Sequence, residues 1–124
     1  MWRKVNPNPC GRLEPDCVVR AICIATGRSW YEVYDDLCEV VREVCSMPSV
    51  NSVWGRYLYH LGFEPFLLPE ACPECVTVKR FCRMKPKGTY IIGTGNHAVC
   101  VIDGDYLDAW DSGNEIPSYF WRAK

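Results

Sequence analysis

Two residues of this chain have the type and the place to do covalent chemistry: a cysteine heading a helix-patterned run and a histidine heading a strand-patterned one. The cysteine is Cys17, in DCVVRAICIATG, residues 16–27. A thiol attacks only as its thiolate, and its pKa falls at a helix N-terminus or beside an imidazole. Asp16 is the expected N-cap, which places Cys17 in the first turn, near unpaired N–H groups and the positive end of the helix dipole. The histidine is His97, in GNHAVCVIDGDYLDAWDSG, residues 95–113, with several carboxylates close behind it. An imidazole oriented by a carboxylate can activate a thiol and later protonate a leaving group. Each residue also has a plainer reading. Cys17 can be a small buried hydrophobe, as expected for Cys23, Cys38, Cys45 and Cys100, and His97 an exposed loop residue among solvated carboxylates.

Which carboxylate serves His97 depends on hairpin register. If the loop covers Asp103, Gly104 and Asp105, Ile102 faces Tyr106 and His97 lies opposite Asp111. Both then share a face with Val99, Val101, Leu107 and Ala109, an apolar surface for the Cys17 helix. A two-residue loop slips the register by one and brings Asp108 to the histidine instead.

These groups need elements to hold them. From Asp16, Val18, Ala21, Ile22 and Ala25 recur at the spacing of one helix face, and Gly27 can close the helix. Ser29 and Glu32 form a capping box before a stripe of Trp30, Val33, Tyr34, Leu37, Val40, Val41 and Val44. A third helix is expected over 49–61, with Gly62 as its stop, and a short fourth over 77–84. After KPKG the period changes: TYIIG, HAVCVI, YLDAW and SYFW are short, β-branched or aromatic runs separated by Gly, Asp and Ser. Residues 1–15, containing VNPNPCGRLEP, read as an extended, loop-like segment. The expectation is one α+β domain spanning 1–124, its N-terminal helices packed on a C-terminal antiparallel sheet.

Composition narrows the partners. The 124 residues are 48% hydrophobic, enough for a core without staples. Fourteen basic and fifteen acidic residues give a net charge of -1, which leaves no electrostatic footprint for nucleic acid or an anionic membrane. The opening MWRKVNPNPCGR lacks the apolar segment and cleavage site of a signal peptide, and no 18-residue apolar run occurs, so a cytoplasmic chain is expected. Nine cysteines, an odd number, then read as mostly reduced thiols.

DCVVRAICIATG followed much later by NHAVCVIDGDYLDAWDS resembles the papain-like cysteine peptidases, and more closely the small C39-like ones of bacterial and phage proteins. The resemblance covers chain order and some thirty residues, including a His-Ala-Val start and an Asp-Ser where papain-type enzymes carry Asn-Ser. It implies a papain-like fold with Cys17 as nucleophile, His97 as general base and acid, and Asp111, in preference to Asp108, as orienter. One element departs from the pattern. Those enzymes carry a Gln several residues before the Cys as oxyanion donor, and CGRLEP has none, which leaves the Cys17 N–H and Asn8, or Asn6, in the NPNP loop.

Other constellations carry weaker chemistry. CPEC, Cys72 to Cys75, has metal-ligand spacing with Cys82 as a third candidate, but no second pair supplies a fourth ligand. Asp16 and Arg20 are spaced for an i, i+4 ion pair, and Arg20 could also steady the loop beneath the nucleophile. His60 is expected near a helix C-terminus, where a cation is favoured. Trp110, Tyr119, Phe120 and Trp121 read as core or as a groove wall for an apolar side chain. The expected function is acyl transfer at an amide by a Cys-His-Asp set, on a peptide or protein, with no cofactor. The rivals are a non-catalytic peptide-binding module on the same fold and a zinc-stabilised adaptor.

Overall fold

The computed structural model describes residues 1–68 and 76–124. CPEC, with Cys72 and Cys75, lies outside the described residues.

The first helix, α1 (Cys17–Thr26), buries Val18, Val19, Ala21, Ile22 and Cys23 and ends where Gly27 turns left-handed at φ 74°. That φ is cheap only for a residue without Cβ. Helix α2 (Trp30–Val44) starts at Ser29, whose hydroxyl accepts the Glu32 N–H at 3.1 Å. Its stripe buries Val33, Leu37 and Val40, while Tyr34 and Val44 stay exposed. The residue closing it is Cys45, exposed and left-handed at φ 55°, so the expectation of a buried Cys45 is corrected. Helix α3 (Asn51–His60) lies within the expected span, with His60 as its exposed last residue. The short α4 (Val78–Met84) is capped by Thr77.

Six strands form one mixed sheet among the described residues, β1 (Trp2–Lys4), β2 (Glu64–Leu67), β3 (Thr89–Gly93), β4 (Ala98–Ile102), β5 (Asp105–Asp108) and β6 (Tyr119–Arg122), in the order β1-β5-β4-β3-β6-β2. The architecture is α+β, but two strands depart from the expectation of a purely antiparallel C-terminal sheet. β1 precedes every helix and pairs parallel with β5, Trp2 against Tyr106 and Lys4 against Asp108. β2 follows α3, pairs with β6, and tolerates Pro65 because it is an edge strand.

The sheet is covered on both faces. Ile91, Ala98 and Cys100 pack with α1, α2 and α3, whereas Tyr90, Ile92, Val99, Val101 and Tyr106 pack with α4. Val99 and Val101 therefore do not meet the Cys17 helix as the longer-loop register requires; Ala98 and Cys100 do. Each fully buried aliphatic in these layers, Ile22 or Leu37 for instance, contributes about 1.5–3 kcal/mol.

Tyr119 crosses this core at a cost. Its ring lies over Gly93, where a Cβ would collide with the phenol, and its buried hydroxyl has no hydrogen-bond partner among the described residues. Burial, then the nearby Cys17, pushes its pKa up to about 12. A buried orphan hydroxyl costs about 1–3 kcal/mol of desolvation. Tyr119→Phe is therefore expected to stabilise the fold by about 1 kcal/mol in urea titration; a destabilised variant would show that the hydroxyl has found a partner.

Candidate active site

Cys17 is the first residue of α1, half-buried, on the wall of a groove of about 530 Å³ that also takes in Trp54, His97 and Trp110. Asp16 precedes it as N-cap but makes no side-chain capping bond. The first-turn N–H groups are thus left without a side-chain acceptor from Asp16. His97 sits just ahead of β4. Its own N–H donates to Thr94 Oγ1 at 2.9 Å and its carbonyl accepts the Thr94 N–H at 2.8 Å, a tight loop that fixes where the ring leaves the backbone.

The carboxylate on the ring is Asp108. His97 Nε2 and Asp108 Oδ2 are 2.7 Å apart, which leaves Nδ1 for the Cys17 thiol. Asp111, the preferred orienter of the sequence reading, is displaced from that role: it is exposed, and its Oδ1 accepts the Tyr106 hydroxyl at 2.5 Å and the Gly113 N–H at 3.1 Å. The reason is register. Ile102 pairs with Asp105, Val101 with Tyr106 and Cys100 with Leu107, so the loop is only Asp103-Gly104. Both loop residues have positive φ, 48° and 83°, the two-residue turn whose twist matches the strands. One further step outward brings Asp108 to the histidine end.

Asp108 is held from every side. Its Oδ1 accepts the Ala109 N–H at 2.8 Å and its Oδ2 accepts the Ser112 hydroxyl at 2.7 Å, both bonds buried. Its carbonyl accepts the Val5 N–H at 3.0 Å and the Trp2 indole N–H at 3.2 Å, so β1 fixes the peptide that carries the carboxylate. Ser112 and β1 were not singled out from the sequence for this role. Ser112 is the serine of the Asp-Ser pair in the sequence resemblance, and its place four residues past Asp108 is the local sign of the bond it makes.

Arg20 links the two acids near the thiol. Its guanidinium donates to Asp16 Oδ1, to the Glu14 carbonyl at 3.0 Å and to Asp108 Oδ1 at 3.5 Å, and only 4% of the residue is exposed. The expected i, i+4 surface pair is instead a buried three-residue network. Asp16 Oδ2 further accepts the Asn8 amide at 3.0 Å and the Trp30 indole N–H at 2.9 Å. Asn8 is thereby committed to the loop, with its Oδ1 accepting the Cys10 N–H, and Asn6 donates to the Arg12 carbonyl. Neither asparagine is the oxyanion donor the sequence reading offered. The groove amides are Asn51 and Asn96; their oxygens already accept Trp54 Nε1 and Thr94 Oγ1, which leaves their NH₂ ends to offer.

The electrostatics follow from these contacts. Burial opposes the Cys17 thiolate, but the His97 hydrogen bond, the Ala98 N–H and the charges of His97 and Arg20 outweigh it and hold the thiol below its ordinary range. Burial likewise opposes the imidazolium, and the hydrogen bonds to Asp108 and Cys17 overcome it and raise His97 to about 9. Asp108 is held below the usual carboxylate range because the His97 and Ser112 bonds outweigh its own burial. Trp110 covers the ring, with centroids 4.7 Å apart. A thiolate paired with an imidazolium that is anchored by a carboxylate is chemically a poised nucleophile with its acid attached.

Among the described residues no cluster of three metal-ligating side chains occurs, and Cys82 is a buried free thiol. No helix among them is long and apolar enough to cross a membrane. Comparison with family models, with curated proteins and with solved structures returns no match.

Proposed function

We propose that the chain is a cysteine peptidase or a closely related amide acyl-transferase of papain-like architecture, acting on a peptide or protein through Cys17, His97 and Asp108. The observation that carries this reading is the Cys17–His97–Asp108 line, with Cys17 and His97 on the wall of the groove and Asp108 buried against His97, and with a thiol held acidic by its neighbours. Cys17 Sγ attacks the amide carbon and the Sγ–C bond forms. The tetrahedral oxyanion is met by the Cys17 N–H and by a groove amide, Asn51 or Asn96. His97 delivers its proton to the nitrogen as the C–N bond breaks, leaving a thioester. Water, deprotonated by His97, then attacks; the Sγ–C bond breaks, the acid departs and the thiolate returns. An amine in place of water gives transfer, and a side-chain amide as substrate gives deamidation with release of ammonia. Asp108 keeps Nε2–H directed at itself and so presents Nδ1 to the thiol throughout.

The test is the pH dependence of iodoacetamide labelling, read cysteine by cysteine by mass spectrometry, in wild type and His97→Ala. Cys17 is expected to react well below the unperturbed thiol pKa of about 8.5 and to lose that advantage without His97. Cys10 and Cys45, both exposed, are the internal controls. Cys17 reacting no faster than these two in either protein removes the nucleophile and leaves the groove as a binding surface.

A further inference from the structure

The charges that line the groove are unevenly engaged. Arg20 is 4% exposed and donates to Asp16 and Asp108, and His97 is held between Asp108 and the Cys17 thiol. Glu14, three residues before Cys17, lines the same groove, is exposed, and forms no ion pair among the described residues. Its backbone is nonetheless fixed. Arg20 donates to the Glu14 carbonyl at 3.0 Å, and Pro15 disfavours helical backbone at the residue before it, so the side chain springs from an anchored point on the groove wall.

We propose that Glu14 selects the substrate by charge, so that the peptide acted on at Cys17 bears an arginine or lysine side chain seated against this carboxylate. The inference rests on the reading of Cys17 as nucleophile and of its groove as a peptide site. Arg20 and His97 each face a carboxylate within the protein, which leaves Glu14 as the groove charge with no partner among the described residues. A cationic side chain supplies that partner. An aspartate or glutamate there meets like charge, and a neutral residue leaves the carboxylate to water. Arginine and lysine also carry a methylene stem, for which Trp110, 39% exposed in the same groove, offers an aromatic surface. Because Glu14 is solvated, the preference is a matter of severalfold discrimination and depends on salt.

The experiment measures how well short peptides protect Cys17 from a pulse of iodoacetamide. The probes are N-acetyl tetrapeptide amides of alanine in which each position in turn is arginine, its uncharged isostere citrulline, or glutamate, so that both sides of the scissile bond are sampled and the termini carry no charge. At one position the arginine peptide is expected to protect at about threefold to fivefold lower concentration than the citrulline peptide, with glutamate weakest. In 1 M salt, where the Debye length is about 3 Å, the arginine and citrulline peptides should converge, as they would not if shape alone chose between them. Glu14→Gln should remove the preference and Glu14→Lys should reverse it toward glutamate; labelling of Cys17 without peptide reports that each variant is folded. Arginine and citrulline peptides that protect alike in the wild type, or a preference that survives Glu14→Gln, overturn charge selection and leave the peptide site standing. If no peptide protects a Cys17 that still outpaces Cys10 and Cys45, the peptide substrate falls and charge selection with it, while the nucleophile stands. A wild-type Cys17 that is inert to iodoacetamide overturns the nucleophile and everything that rests on it.

Discussion

Asp108→Asn is expected to cut Cys17 alkylation at pH 6 by about tenfold or more, while Asp111→Asn leaves it within about twofold of wild type. Asp108 bonds His97 Nε2 at 2.7 Å and is buried, whereas Asp111 is exposed and bonded to Tyr106. With the carboxylate gone, His97 loses what raises it to about 9, the imidazolium is no longer there to stabilise the thiolate, and the Cys17 pKa climbs back. Acyl transfer should suffer more than alkylation, by about 10³-fold, because an uncharged amide no longer dictates which ring nitrogen carries the proton. The pH profile gives a second readout. In wild type the imidazolium needed for the leaving group disappears as pH rises through about 9, so activity falls on that limb. The same raised pKa contributes stability that is fully present below the unfolded value of about 6.5 and is lost as pH rises through the folded one. Asp108 works the other way: its depressed pKa contributes stability present above about 3.9 that is lost as pH falls through the folded value. In Asp108→Asn the alkaline limb should move toward pH 6.5. Equal losses in the two variants, or a larger one in Asp111→Asn, would return the orienting role to the residue the three-residue loop favoured.

That choice between two aspartates shows where sequence reading stops. The helices were legible because Val18, Ala21 and Ile22, and Val33, Leu37 and Val40, repeat at the helical period and are the residues that pack. Cys17 and His97 were legible as singular residues at element starts. Register was not, since a loop of two or three residues fits DGD equally well and one slip exchanges every partner. What decides is that Asp103 and Gly104 both take positive φ, 48° and 83°, the two-residue turn that Asp-Gly favours and that the three-residue register set aside. β1 was hidden for another reason: Trp2–Lys4 has a single apolar residue and a parallel partner a hundred positions away, so only the tertiary fold makes it a strand. Its effect on the site is direct, because it holds the Asp108 carbonyl. The Arg20 network was visible as a spacing, but its burial was not, and burial changes its weight.

An exposed Asp16–Arg20 pair would contribute a few tenths of a kcal/mol. Here the side chains of Arg20, Asp16 and Asp108 are 5%, 9% and 3% exposed, so solvent does little to screen them. Removing the cation leaves the Asp16 and Asp108 carboxylates without the guanidinium they share, and breaking a buried pair from one side costs about 3–5 kcal/mol. Arg20→Met is therefore expected to lower stability by about that amount in urea titration at neutral pH. The deficit should narrow as the pH falls far enough to protonate Asp108, because its uncompensated charge then vanishes. Arg20→Lys restores charge without the fork that reaches Asp16, the Glu14 carbonyl and Asp108 together, and should recover only part of the loss. Arg20 is also one of the charges that favour the Cys17 thiolate, so labelling at low pH should fall in Arg20→Met and return further in Arg20→Lys than stability does. The thiolate responds to positive charge at a distance, while the fold depends on the geometry of each bond. A Met variant as stable as wild type would mean that water reaches these carboxylates in solution, and the buried network would then have no part in holding Asp108 against His97.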